Sequence, residues 1–233
     1  MRYTLFITVL TSFKLFSLTP INDPKNMLWF GYFQQLKLKP KWSLSSDIQF
    51  RTRDAMKTYS QALFRTGLNY TINEKVSITA GFAHFRFFIT NSITRSEWRP
   101  WQEIGYNNEF NKIKIKQRLR MEQRFNETVI DKKPSGNFQF NWRFRYKMEL
   151  SYLIGKIINK ECYFTLGNEV MINAGKAIKK KIYDQNRLAI GFILQISNQL
   201  LFQPQYMYIN QYNSKINTTE NYHVLRLNLI HKL

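Results

Sequence analysis

The chain has very little of what usually builds a site. Of its 233 residues only one is cysteine, Cys162, so no internal disulfide and no thiolate metal cluster can form. Cys162 also lies far from the N-terminus, which excludes it as the acylated cysteine of a lipoprotein and leaves it the role of a small apolar side chain. With 9 glycines and 6 prolines, a glycine-rich loop cradling phosphates is not expected. The three histidines, His84, His223 and His231, form no His-x-x-x-His pair, and no acidic calcium loop is present. No metal or other cofactor is therefore expected. Negative charge is scarce, with 15 Asp and Glu against 35 Lys and Arg, a net charge of +20. No internal window offers the roughly 18 consecutive apolar residues of a membrane-spanning helix.

What is present begins with the N-terminus. Arg2 precedes an apolar run from Tyr3 to Leu18, followed by Thr19, Pro20 and the turn-like Asn22, Asp23 and Pro24. This is the layout of a secretory signal peptide. We expect a leader over residues 1–20 and a mature domain over 21–233, with cleavage near residues 17–22. Lys14 interrupts the apolar run, and a first buried strand or helix of the mature fold is the alternative.

The strongest signal is period-two alternation. From Phe138 to Ile154 the even positions are Phe, Trp, Tyr, Met, Leu or Ile, while the odd ones include Gln139, Asn141, Arg143, Arg145, Lys147, Glu149 and Ser151. Half-buried strands of soluble sheets alternate over about 4 to 8 residues. A tilted strand crossing a membrane needs about 9 to 11. The segment before it repeats the pattern, with Ile113, Ile115, Leu119, Met121 and Phe125 opposed to Lys114, Lys116, Arg118, Arg120, Glu122 and Arg124.

Weaker copies predict strands near 27–38, 41–53, 59–71, 75–87, 97–110, 113–127, 138–154, 160–173, 185–196, 200–211 and 221–232. The fold expected is all-β, a single transmembrane antiparallel up-and-down barrel. Bacterial single-chain barrels have even strand numbers, so about twelve strands are expected, with ten as the alternative.

Tight links are expected after Leu38, Thr71, Phe110, Ile154 and Ile196, and longer outer links near 54–58, 88–96, 128–137, 174–184 and 212–220. Aromatic girdles follow at the rims, with Trp42, Tyr70, Phe110 and Tyr152 at one and Phe50, Trp98, Phe125 and Phe138 at the other. Pro204 falls inside a predicted strand and should mark a bulge or local break.

If Asn111 and Lys112 form a two-residue turn, Phe110 faces Ile113, Ile104 faces Leu119 and Trp98 faces Phe125. On the other face Glu109 meets Lys114, Glu103 meets Arg120 and Arg99 meets Arg124. With the apolar face toward lipid, the polar face lines a lumen. Its expected polar cluster is Glu97, Arg99, Trp101, Glu103, Arg118, Arg120, Glu122, Arg124, Arg143, Arg145, Glu149 and Arg187. Such a lumen attracts an anionic solute, or is a charged ladder packed with water. Basic residues with interleaved aromatics can also bind nucleic acid, but the leader and the long strands argue against that partner.

No catalytic signature accompanies these features, and the chain is not expected to be an enzyme. The alternatives are a lipid hydrolase, with a histidine on the lipid-facing rim and Ser60, Ser92 or Ser96 nearby, and a soluble periplasmic ligand-binding barrel, apolar inside and polar outside.

Six stretches carry a resemblance: WSLSSDIQFR over Trp42–Arg51, EWRPWQ over Glu97–Gln102, RLRMEQRF over Arg118–Phe125, FRYKMEL over Phe144–Leu150, DQNRL over Asp184–Leu188 and QYMYINQ over Gln205–Gln211. They resemble a family of Bacteroidetes-type outer-membrane barrels catalogued as domain of unknown function 2490. The resemblance implies a barrel in the cell outer membrane, with outer-membrane lipid, lipopolysaccharide and the barrel-assembly machinery as partners. It brings no reaction, substrate or cofactor. It draws attention to Gln102, Asp184 and Asn186 beside the residues above. The chain departs from common barrels by ending in Leu233 rather than an aromatic residue.

Overall fold

The computed structural model describes residues 25–54, 56–89, 92–130, 133–214 and 216–233. The expected leader over 1–20 lies outside the described residues. The described chain is all-β, one closed barrel of eleven strands. They are β1 (Lys25–Lys39), β2 (Trp42–Arg53), β3 (Thr58–Thr71), β4 (Val76–Ile89), β5 (Ser92–Phe110), β6 (Ile113–Ile130), β7 (Lys133–Ile157), β8 (Lys160–Ala174), β9 (Tyr183–Gln195), β10 (Leu200–Asn213) and β11 (Thr218–Lys232).

Eleven is the number of alternating segments in the sequence, and it lies between the twelve expected and the ten kept as alternative. The odd number has a geometric cost. Consecutive strands pair antiparallel, so closure must join two strands running the same way, and β1 pairs parallel with β11 from Lys25↔Tyr222 to Gln35↔Lys232. The two ends of the barrel chain therefore lie at opposite rims.

Two of the five expected outer loops are instead largely strand. Residues 128–137 do not form the long loop predicted from Pro134, Ser135 and Gly136, because β6 and β7 run on and pair Val129 with Pro134 and Ile130 with Lys133. A register shift between Glu127 and Val129 absorbs the mismatch. There the Gly136 N–H donates to the Glu127 carboxylate at 2.8 Å, with Gly136 at φ 75°. Turn-forming residues are tolerated in a strand when a bulge and a side-chain acceptor replace the lost ladder bonds. The expected 88–96 link is likewise short, since β4 ends at Ile89 and β5 starts at Ser92.

Pro204 produces no register shift. It coincides with a break in the β9–β10 ladder between Phe202↔Leu194 and Gln205↔Gly191, as a residue with no N–H requires.

The alternation sorts side chains by face. Among the described residues 41 large apolar or aromatic side chains are exposed, against 12 buried hydrophobic residues and 23 buried polar or charged ones. This is the reverse of a soluble barrel. Leaving a Leu, Ile or Phe in water forgoes about 1.5–3 kcal/mol each, so an outer wall made of Ile48, Phe64, Ile104, Leu119, Phe144 and Leu166 calls for an apolar surrounding. Trp42 and Tyr70 pack at 4.8 Å near one rim, and Phe125 and Phe140 at 5.1 Å toward the other.

Candidate functional site

The inner wall is built from the odd positions of β5, β7, β8, β9 and β10 and the even positions of β6 and β11. The register between β5 and β6 places Glu109 opposite Lys114, Glu103 opposite Arg120, Ile104 opposite Leu119 and Trp98 opposite Phe125. Inward carboxylates and guanidinium groups then meet as direct and diagonal neighbours across strands only about 4.8 Å apart.

The twelve residues of the expected cluster all turn inward, and ten of them, all but Trp101 and Glu149, form one lattice. Glu97, fully buried, accepts from Arg99 Nε at 2.5 Å and from Arg124 Nε and Nη2 at 2.5 and 3.0 Å. Arg99 and Arg124 are thus held together by a shared carboxylate. Glu122 accepts from Arg145 Nη1 at 2.6 Å and lies 3.4 Å from Arg99 and 4.0 Å from Arg120. Glu103 lies 2.6 Å from Arg120 and 3.4 Å from Arg118.

Two carboxylates that the expected cluster omits complete the lattice. Glu169 binds Arg118 at 2.5 Å, Arg145 at 2.7 Å and Arg187 at 3.7 Å. Asp184 binds Arg143 at 2.8 Å and accepts from Asn173 at 3.0 Å. Glu149 pairs with Lys147 at 2.8 Å.

Another member, Trp101, is a platform. Its indole lies over Gly67 and Gly81, which face each other in register. A Cβ on either glycine would come within 2.6 Å of the ring. The Arg120 guanidinium stacks on Trp101 at 4.2 Å, Arg99 on Phe85 at 3.7 Å and Arg95 on Phe87 at 3.7 Å. Leu63, Ala83, Phe85 and Trp101 form an apolar cluster inside the barrel. Arginine thus takes ring faces as well as carboxylates as partners.

Gln102 and Asn186, singled out with these residues, face outward. Gln102 accepts from Gln123 at 3.1 Å and Asn186 from Asn168 at 2.6 Å.

A lumenal cavity of about 480 Å³ opens among these side chains. It is lined by fourteen arginines or lysines but by only two carboxylates, Glu149 and Glu169. Glu97, Glu122 and Asp184 lie behind the arginines that bind them and do not line it. Sequence reasoning missed the part of this lining nearest the closure, Trp29, Arg51 and Arg226. Arg51 closes the WSLSSDIQFR stretch, and its odd parity was the available signal.

The histidines sit on the outer wall. His84 Nε2 lies 2.9 Å from Ser96 Oγ, and its ring stacks on Trp98 at 4.0 Å. His231 Nδ1 lies 2.9 Å from the Tyr32 hydroxyl, and His223 Nδ1 hydrogen-bonds the Tyr206 hydroxyl. Cys162 is a buried free thiol.

No curated protein matches the chain. Among solved structures it is similar to two mutants of the ferric enterobactin receptor PfeA of Pseudomonas aeruginosa, at 9% identity with TM-scores of 0.33 and 0.34. The matches cover 82% and 84% of this chain and 37% of each receptor, so the chain spans little more than a third of their length. At that distance they decide neither architecture nor ligand. The family model described as protein of unknown function DUF2490 matches residues 26–220, and the chain belongs to that family.

Proposed function

We propose that this protein is an outer-membrane β-barrel with a narrow basic lumen that draws in small anions, and that it works by binding or passage rather than by catalysis. The observation that carries this reading is the inverted wall. Apolar side chains cover the outside, where lipid and lipopolysaccharide would meet them, and ionised side chains fill the inside. Strands of 12 to 25 residues exceed the roughly 9–11 that cross a bilayer, and a closed ring leaves no edge unpaired in lipid. The excess of cations on the cavity lining supports anion preference through the local field.

Two measurements test it. The protein should fractionate with outer membranes and migrate faster on a gel unheated than boiled; recovery in the soluble periplasm without such a shift would overturn the location. In planar bilayers under a salt gradient, the reversal potential should have the sign of anion preference, and cation preference would overturn the lumen reading.

The His84–Ser96 contact favours a second reading, an outer-membrane lipid hydrolase. A base within hydrogen-bond reach of a hydroxyl is the minimum for acyl transfer. Trp98 stacks on His84 and the Arg86 charge bears on it, and among the described residues no carboxylate hydrogen-bonds the imidazole. Fatty acid released from phospholipid by purified protein, and abolished in His84→Ala, would establish this reading; release that survives the substitution would exclude His84.

A further inference from the structure

One row of side chains crosses the seam between β1 and β11 on the inner wall. In register it runs Gln61 on β3, Arg51 on β2, Trp29 on β1, Arg226 on β11 and Gln205 on β10. The two arginines flank the tryptophan on neighbouring strands, with their backbones roughly 10 Å apart at ordinary strand spacing. Gly191 comes next on β9. A Cβ there would meet Gln205 Cγ at 2.7 Å, and without one Gln205 reaches over to Thr165 Oγ1 at 3.2 Å.

This row contains cations and no carboxylate. Strands β1, β3 and β10 hold no Asp or Glu at all. Arg51 is buried, stacks on Trp29 at 3.9 Å and donates to the side-chain oxygens of Gln61 at 2.8 Å and Gln49 at 3.1 Å. Arg226 donates to Gln205 Oε1. Among the described residues, Arg51 Nε, Arg226 Nε and Trp29 Nε1 are buried and have no hydrogen-bond partner. Arg187 approaches the same indole at 5.4 Å.

The largest charge effects on Arg51 come from Arg187, Arg99, Arg65 and Arg145, all positive, and the carboxylate of Asp47 on its own strand is held by Arg65 at 2.7 Å. Arg226 feels Glu149 and Glu169, but those carboxylates already hold Lys147, and Arg118 with Arg145. An amide oxygen accepts a hydrogen bond without neutralising a charge, and a buried cation with no counter-ion is costly.

Arg51, Arg187, Arg226 and Trp29 all line the 480 Å³ cavity. We propose that these three arginines around Trp29 form a binding site for a small free oxyanion carrying two or more negative charges on phosphate or carboxylate groups. Guanidinium forks match both groups bidentately, and the ligand supplies the charge that this wall lacks. The site rests on the reading of the lumen as anion-attracting, but it is narrower than that reading.

Isothermal titration calorimetry on the detergent-folded protein, with pyrophosphate in one arm and citrate in the other, tests it. Saturable one-to-one binding of either is expected, weakened at least tenfold in Arg51→Gln and in Arg226→Gln and unchanged in Arg86→Gln on the outer wall. Binding of only one anion assigns the group recognised. Absence of binding of both to heat-modifiable wild type, or equal affinity in both lumenal variants, overturns the site. Should neither glutamine variant fold, Arg51→Lys decides, because it keeps the charge and loses the fork: a severalfold weakening supports the site, and unchanged affinity overturns it. Anion preference in bilayers draws on the whole lining, so its survival alongside failed binding removes the site and leaves the broader reading intact.

Discussion

Across the lumen, the wall of β5 to β8 and the seam where β1 meets β11 both bury arginine, but most of the buried carboxylates stand on the first, and the one nearest the seam, Asp47 on β2, is taken by Arg65 at 2.7 Å. On that wall Glu97, Glu103, Glu122 and Glu169 each hold two or more cations. At the seam, Arg51 and Arg226 have amide partners, and Arg51 also has a tryptophan face. The difference separates two uses of one residue type. A guanidinium whose charge is met by a carboxylate inside the protein stiffens the wall. One whose charge is not met, and whose Nε–H has no partner, remains able to respond to something that enters.

The largest expected effect comes from breaking the compensated side. Glu97→Gln leaves Arg99 and Arg124 buried without their shared carboxylate and should cost about 3–5 kcal/mol, the range for removing one partner of a buried ion pair. Urea unfolding of the detergent-folded protein measures it, and an unshifted midpoint would erase the contrast between the walls. Next is the platform. In Gly81→Ala the new methyl falls 2.3 Å from the Thr66 carbonyl oxygen and 2.5 Å from the Trp101 ring. Loss of about 1–3 kcal/mol is expected from overpacking, with altered tryptophan fluorescence as the ring moves.

The smallest effect sharpens the seam. Without added anion, Arg51→Gln removes a charge that nothing offsets, and stability should stay within about 1 kcal/mol of wild type or rise. A loss as large as that of Glu97→Gln would mean that Arg51 is already compensated.

Most of the fold was legible because period two is a local property. Each of the eleven alternating segments became a strand, and the Asn111–Lys112 turn fixed the β5–β6 register to the residue. Loop lengths were less legible. Pro134 and Gly136 signal a turn by composition, but the hydrogen bond from Gly136 to Glu127 that keeps the strand going depends on a partner nine positions away. Within the candidate site, the direct pairs followed from the register. The sharing of Glu97 did not, since a diagonal contact places Arg124 nearer to Glu97 than the facing rule suggests. The seam was least legible. Trp29 and Arg226 come from opposite ends of the chain, and even-number reasoning left no parallel pair to place them in.

That parallel pairing also sets an order of assembly. Every other pairing joins neighbours along the chain, whereas β1 and β11 meet only after nearly the whole chain has been threaded. Loop-closure entropy makes such a contact slow. Until it forms, the product is an open sheet whose two edges are these strands, each with a row of unpaired backbone groups ready to take up another strand. Closure is therefore the step at which misassembly competes with folding, and it is the step that first brings Arg51, Trp29 and Arg226 together.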